Sequence, residues 1–259
     1  MVELVANFEV DGTEEEFLEE YKEDVKKYEL PSVTVDNVIF SYDKEKVEMK
    51  LLMIKRKQHP YQGKWALPGG FASPKESLED SCIRELEEET GVKLTKKDIV
   101  PIGVYSTASA KYSQEARDPR GWVITSAYMA LISEEELVAG DDAGDVDWVV
   151  VTRGEQGLVF KSKEGILEGL AFDHEQIVKD AWERLTGMMY KDLYSLRVLG
   201  TTFTMRESRE LYSIYVGKEL GTIDLKNHRR KLDRLVMEVG ERKGKHGGRP
   251  EKVYSILIN

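Results

Sequence analysis

Apolar residues recur along this chain with two periods, and their order predicts a mixed architecture that changes style near residue 190. Phe17, Tyr21 and Val25 fall at i, i+4 and i+8 between Glu14 and Tyr28, the spacing of an amphipathic helix. Thr13 can cap that helix, with Glu16 at the third position of a capping box, and Pro31 ends it. Val33 to Tyr42 and Val47 to Lys55 are rich in β-branched and aromatic residues and predict two strands, joined by the polar turn Asp43-Lys44-Glu45-Lys46. Leu78, Cys82 and Leu86 then repeat every four residues, so Ser77 to Thr90 reads as a helix with Gly91 at its C-terminal end. Ser77 can cap it with Asp80, and Ser73-Pro74-Lys75-Glu76 offers a competing start. Strands are predicted again at Ile99 to Tyr105, Trp122 to Ile132 and Val146 to Val151, with a polar insertion from Ser106 to Gly121 between the first two. Asp173 is placed to cap a helix whose apolar stripe is Ile177, Ala181, Trp182 and Leu185.

Beyond that helix the elements are shorter. Thr204-Met205-Arg206-Glu207 is a capping box opening a helix with Leu211, Ile214 and Tyr215, broken by Gly217 and Gly221. Asp224 caps a second helix, read from Leu225 to about Val236. Two strand-like runs follow, Val236 to Glu241 and Lys252 to Leu257, joined by the basic loop Arg242 to Pro250. Helix, short turn, basic helix and basic hairpin form the pattern of a winged helix-turn-helix. The chain therefore divides into an N-terminal helix (1–30), a mixed α+β domain (31–172), a connecting helix (173–189) and a small winged domain (190–259).

Composition narrows the class. The 259 residues are 41% hydrophobic and 33% charged, the balance of a globular protein, and no apolar run approaches the ~20 residues that a membrane span needs. The first residues lack a basic and apolar leader, and the one cysteine, Cys82, excludes an internal disulfide, so a cytoplasmic location without membrane attachment is expected. Net charge changes the picture more. Residues 1–189 carry 23 Lys+Arg against 39 Asp+Glu, whereas residues 190–259 carry 15 against 9. An acidic body with a basic tail points to a polyanion as the partner of the tail.

The candidate chemistry is concentrated in Arg84-Glu85-Leu86-Glu87-Glu88-Glu89-Thr90-Gly91. Glu85, Glu88 and Glu89 stand at i, i+3 and i+4 on one helical face, where like charges weaken a helix by a few tenths of a kcal/mol per pair. Hard divalent cations take such oxygen ligands and act together with substrate phosphates. These three glutamates are the candidate metal ligands, for Mg²⁺ or Mn²⁺. Gly69 and Gly70 let the preceding loop turn tightly. Arg56, Arg117 and Arg120 are the cations best placed for phosphate or ribose. Trp65, Phe71, Tyr105, Tyr112 and Trp122 are candidates for stacking a base, with packing as the alternative for each. In the tail, Lys226, Asn227, His228, Arg229, Arg230, Lys231 and Arg234 crowd the second helix, and Lys245 and Arg249 lie in the hairpin loop. Arg and Lys there would meet phosphates, and Arg, Asn or His would read base edges.

Gly70, five residues, Glu76, seven residues, then Arg84-Glu85-Leu86 through Gly91-Val92 matches the Nudix box at every specified position. This resemblance implies an α/β/α sandwich around a mixed sheet. It makes Arg84 the arginine that orients the glutamates, and Glu76 a further metal or supporting residue, or only a helix cap. A further loop carboxylate is often required, for which Asp141 and Asp142 are the candidates beside a bland solvated turn.

A Nudix domain followed by a basic winged helix resembles the Nudix-related transcriptional regulators of NAD metabolism. The segments Trp65 to Phe71, Arg117-Asp118-Pro119-Arg120-Gly121, Ala139 to Ala143, Ala171-Phe172-Asp173-His174 and Gly248-Arg249-Pro250 add to the likeness. The resemblance implies a homodimeric repressor that senses ADP-ribose or a related NAD-derived nucleotide and binds double-stranded operator DNA. Many members of that family have a degraded box, and this chain departs from them because its box is complete. The competing reading is an ADP-ribose pyrophosphatase that makes AMP and ribose 5-phosphate.

Overall fold

The computed structural model describes residues 13–24, 29–132, 143–243 and 250–256. Asp141, Asp142, Lys245 and Arg249 lie outside the described residues. The helix α1 (Glu14–Asp24) opens with the expected capping box. The Glu16 backbone N–H donates to Thr13 Oγ1 at 3.3 Å, and the Thr13 N–H donates to Glu16 Oε2 at 2.8 Å.

The main sheet is built around β1 (Ser32–Asp43). It pairs antiparallel with β2 (Glu48–Arg56) and parallel with β6 (Val123–Leu131), which makes the sheet mixed. Its order is β5-β6-β1-β2-β7-β8-β9. Here β5 is Val100–Ser106, β7 Ala143–Arg153, β8 Leu158–Ser162 and β9 Gly165–Ile166, and the short β3 (Trp65–Ala66) and β4 (Gly69–Phe71) pair on β2 and β1. Successive side chains of a strand face opposite ways. Val35 and Ile39 accordingly pack with Leu52, Cys82 and Leu86 beneath α2 (Leu78–Thr90). Val38, Phe40 and Tyr42 pack on the other face with Ile177, Trp182 and Leu185 of α3 (His174–Met188). Both faces are covered, which is why β1 reads as a nearly continuous apolar run. Cys82 is buried, its thiol bonded to Asn37 Oδ1, and desolvation pushes it up to about 12.

The winged domain comprises β10 (Phe203–Thr204), α4 (Met205–Val216), α5 (Leu225–Leu232), β11 (Val236–Arg242) and β12 (Glu251–Ile256), with strand order β10-β12-β11. The capping box at Thr204 and Glu207 is formed, and the second Glu207 oxygen pairs with Arg242 at the foot of the wing. The helix α5 ends at Leu232, a turn earlier than its sequence suggests. The Leu235 N–H turns back to the Leu232 carbonyl, and Val236 already pairs with Ile256 in the sheet. Asp173 occupies the N-terminal position of α3 but does not cap it, because its carboxylate is held by Arg117.

One apolar core runs from the main sheet through α3 into the winged domain. Trp182, 1% exposed, is its joint. Its ring meets Phe40 edge-on at 5.9 Å and Tyr215 of α4 at 5.6 Å, and its Nε1–H donates to the Tyr215 carbonyl at 2.9 Å.

Candidate functional site

Ser77 caps α2 by accepting from the Asp80 N–H at 3.2 Å, which sets the rotation of the helix that carries the glutamates. Leu86 turns inward, and the acidic stripe turns toward the loop before the helix. Arg84 gathers it. Its guanidinium donates to Glu76 Oε1 at 2.8 Å, to Glu85 Oε1 at 2.7 Å and to Glu88 Oε2 at 3.0 Å. Two glycines make room. A Cβ at Gly70 would collide with the Glu85 carboxylate, and one at Gly69 with the Val35 carbonyl oxygen. The Gly69 N–H in turn donates to Glu89 Oε2 at 2.8 Å. Burial pushes Glu89 up to about 8, helped by the negative charge of Glu85, and burial also raises Glu85.

Glu85 and Glu89 open into a cleft of about 320 Å³, which Gly69, Gly70, Phe71, Arg56, Arg117, Asp118 and Arg120 also line. Glu88 does not line it: its side chain, 58% exposed, is held by Arg84, which also holds Glu76. Seven of the residues selected as ligand-binding therefore do converge on one cavity with two of the three glutamates. The eighth, Asp142, falls outside the described residues.

The arginines divide into two kinds. Arg117 is buried and committed. It holds Asp173 through two bonds of 3.0 and 2.8 Å and reaches Asp36 at 3.4 Å, so it shapes the floor of the cleft and has no free fork for a phosphate. Asp36 also meets His174 Nε2 at 3.3 Å, while His174 Nδ1 accepts the Leu67 N–H at 2.9 Å. That backbone donor fixes the imidazole proton on Nε2, facing Asp36. Burial opposes the charge on Asp36, but His174 and Arg117 outweigh it and hold the carboxyl below its ordinary value. Arg120 and Arg56, by contrast, form the mouth. Arg120 is braced by Asp118 at 2.6 Å and lies over both Phe71 (5.2 Å) and Phe172 (5.6 Å). Arg56 lies over Phe172 at 4.9 Å. Two aromatic faces with two guanidinium groups suit a planar ring joined to an anionic chain. Of the five stacking candidates only Phe71 lines the cleft: Trp65 is buried, Tyr105 is bonded to Asp180, Tyr112 donates to Glu29, and Trp122 lies outside the lining.

Among the described residues no three carboxylate, imidazole or thiol groups already converge as a cage. Two carboxylates, Glu85 and Glu89, do share the cleft, with Glu88 adjacent on Arg84. One or two carboxylates completed by water and ligand phosphate is the habit of Mg²⁺, so the residues fit.

The second site is α5. Lys226, Asn227, Arg229, Arg230 and Lys231 are exposed there, as is Arg234 in the turn that follows. His228 is not: it is 2% exposed, bonded through Nδ1 to Tyr190 Oη at 2.7 Å and through Nε2 to Ser208 Oγ at 2.9 Å. Its assignment to DNA is corrected accordingly. Burial, together with Arg209 and Lys231, pushes it down to about 4, which suits a neutral ring inside the domain.

Asp36, Phe172 and His174 are site residues that sequence reasoning missed. An aspartate in the middle of the apolar run Val33 to Phe40 was the available signal for the first. Phe172 has φ 53°, in the left-handed region that a bulky side chain rarely adopts, and that turn puts its ring in the mouth.

Residues 31–166 match the NUDIX domain family, and residues 195–256 match the NrtR DNA-binding winged helix domain. An ADP-ribose pyrophosphatase of Methanocaldococcus jannaschii is 40% identical over 162 residues, 61% of this chain and 79% of that protein. An ADPR-responsive transcriptional repressor of Acinetobacter baylyi is 29% identical over 253 residues, 95% of this chain and 90% of that one. Shewanella oneidensis NrtR in complex with a 27mer DNA superposes with a TM-score of 0.64 at 30% identity, covering 87% of this chain and 93% of that chain.

Proposed function

The chain belongs to the Nudix family and carries the NrtR winged helix behind its Nudix domain, and from that premise we propose that it is a homodimeric transcriptional repressor released from DNA by ADP-ribose. The observation that carries the proposal is α3. Its first residue, His174, lines the cleft together with Phe172 just before it, and Tyr190 just beyond its end holds His228 of the basic helix. The helix and the residues flanking its two ends thus reach both sites. A gel-shift assay on the DNA upstream of the chain's own gene tests this. The shift is expected to be lost on adding ADP-ribose, and a shift that ADP-ribose leaves unchanged contradicts it.

A second reading, hydrolysis of ADP-ribose to AMP and ribose 5-phosphate, is favoured by the complete Arg84, Glu85, Glu88, Glu89 set. Glu85, Glu88 and Glu89 would hold Mg²⁺ or Mn²⁺, which when bound supplies charge neutralisation for the diphosphate and a more acidic water. Arg84 orients the glutamates, Arg120 and Arg56 bind the anionic ligand, and Phe71 and Phe172 flank the base. Glu89 keeps Oε2 on the Gly69 N–H and would leave Oε1 to the metal. Glu89→Gln is expected to remove nearly all AMP release while leaving the gel shift in place. If the wild type releases no AMP under saturating metal, the box serves binding alone.

A further inference from the structure

Basic residues on a helix are not equivalent once the rotation of the helix is known. The rotation of α5 is set from inside. His228, locked between Tyr190 and Ser208, and Leu232, fully buried, stand at i and i+4 and turn one stripe into the domain. The opposite stripe of the helix is then Lys226 and Arg230, with Asn227 beside Arg230, and Arg234 follows in the turn after Leu232.

The exposed cations have different commitments. Lys231 lies over the Tyr190 ring at 4.6 Å, on the flank where the helix meets the domain. Arg229 leans on Asp233 at 3.6 Å on the other flank. Arg230, on the outward stripe, is held by Asn227 Oδ1 at 2.9 Å through one terminal nitrogen. The Asn227 backbone is itself fixed, because its N–H donates to the capping carboxylate of Asp224 at 2.6 Å. A guanidinium steadied on one side and exposed on the other presents its remaining donors as a fixed fork, which is the geometry that recognises the O6 and N7 acceptors of guanine.

We propose that Arg230, braced by Asn227, is the specificity-determining residue of the winged domain and reads a G·C pair in the major groove, while Lys226 and Arg234 are sequence-blind phosphate contacts. Asn227 is the positioning residue of the pair. The assignment rests on the repressor reading above, since a chain that binds no DNA reads no base.

The test uses the full chain and a pool of short duplexes with randomised central positions, from which the wild type selects its preferred sequence. Affinities are then measured on that duplex, on single-pair variants and on a scrambled duplex, for the wild type, Arg230→Lys, Asn227→Ala and Lys226→Ala. Arg230→Lys keeps the charge and loses the fork. It is expected to lose about 5- to 150-fold of discrimination at one G·C pair per half-site. Its affinity for the scrambled duplex should stay within about threefold, as for a retained phosphate-range cation. Asn227→Ala should flatten preference at the same pair, by less. Lys226→Ala should weaken all duplexes alike and lower the salt slope by about one. Arg230→Lys with its discrimination intact overturns the assignment, as does Lys226→Ala flattening preference at that pair. A wild type that selects no sequence overturns the repressor reading along with it, so the two failures are told apart by the wild-type arm alone.

Discussion

Glu89 shows how a single residue carries opposed demands. Burial of its carboxyl and the facing Glu85 favour the neutral form, outweigh the opposing Gly69 N–H and bring it to about 8. Because the folded value lies above the unfolded one, the folded chain keeps a proton that the unfolded chain has already lost. The associated stability is present below the unfolded value near 4.5 and is lost as pH rises through about 8. Glu89→Gln removes this dependence. In metal-free buffer the variant should gain stability over the wild type as pH is raised from 5 to 9, by up to a few kcal/mol. Urea melts across that range check it, and a difference that shrinks with rising pH contradicts it. Metal binding should conversely expel the Glu89 proton near neutral pH. Titration of Mg²⁺ in buffers of different ionisation enthalpy reads that proton directly, and the release should vanish in Glu89→Gln.

At the scale of elements, α2 was legible because independent signals agreed: a cap at Ser77, the apolar stripe Leu78, Cys82 and Leu86, a stop at Gly91 and the acidic face. The central strands were legible from their apolar runs. The two- and three-residue strands β3, β4 and β10 were not, since they exist only by pairing with strands elsewhere in the chain, and β9 is too short to show a period of its own beside β8. The cleft was legible where it is made of motif residues and illegible where tertiary pairing decides. Arg117 and Arg120 look alike in sequence, yet Asp173 and Asp36 bury one and Asp118 presents the other. His228 was misread for the same reason. Its charged neighbours suggested a surface, and only its spacing to Leu232 hinted otherwise.

The helix α3 is the element that joins the sites. Tyr190→Phe keeps the ring under Lys231 and removes the bond to His228. It should leave ADP-ribose affinity within about twofold of the wild type and lower the ratio between operator affinities without and with ADP-ribose. Coupling changes of about 0.5–2 kcal/mol are expected for a residue on the connecting network, touching neither ligand. Fluorescence anisotropy on a labelled operator measures the ratio, and an unaltered ratio argues against this route. Trp182→Ala opens the joint of the shared core and should cost about 3–5 kcal/mol of stability, so it tests packing more than coupling.

At the scale of the whole molecule, an acidic sensing body and a basic reading domain share one hydrophobic core. A ligand in the cleft can alter DNA affinity only through different affinities for the DNA-free and DNA-bound conformations, and the effect must be reciprocal. The same arrangement explains why the two functional readings need not exclude each other: the glutamate face and the aromatic mouth line one cleft, which on either reading would hold the same ligand, and α3 runs from that cleft toward α5. The most direct test is calorimetric titration of the full chain with a non-hydrolysable ADP-ribose analogue, with and without saturating operator duplex. The account predicts that operator weakens analogue binding by about 5–150-fold, the same factor by which the analogue weakens operator binding. Equal analogue affinities in the two titrations would contradict it.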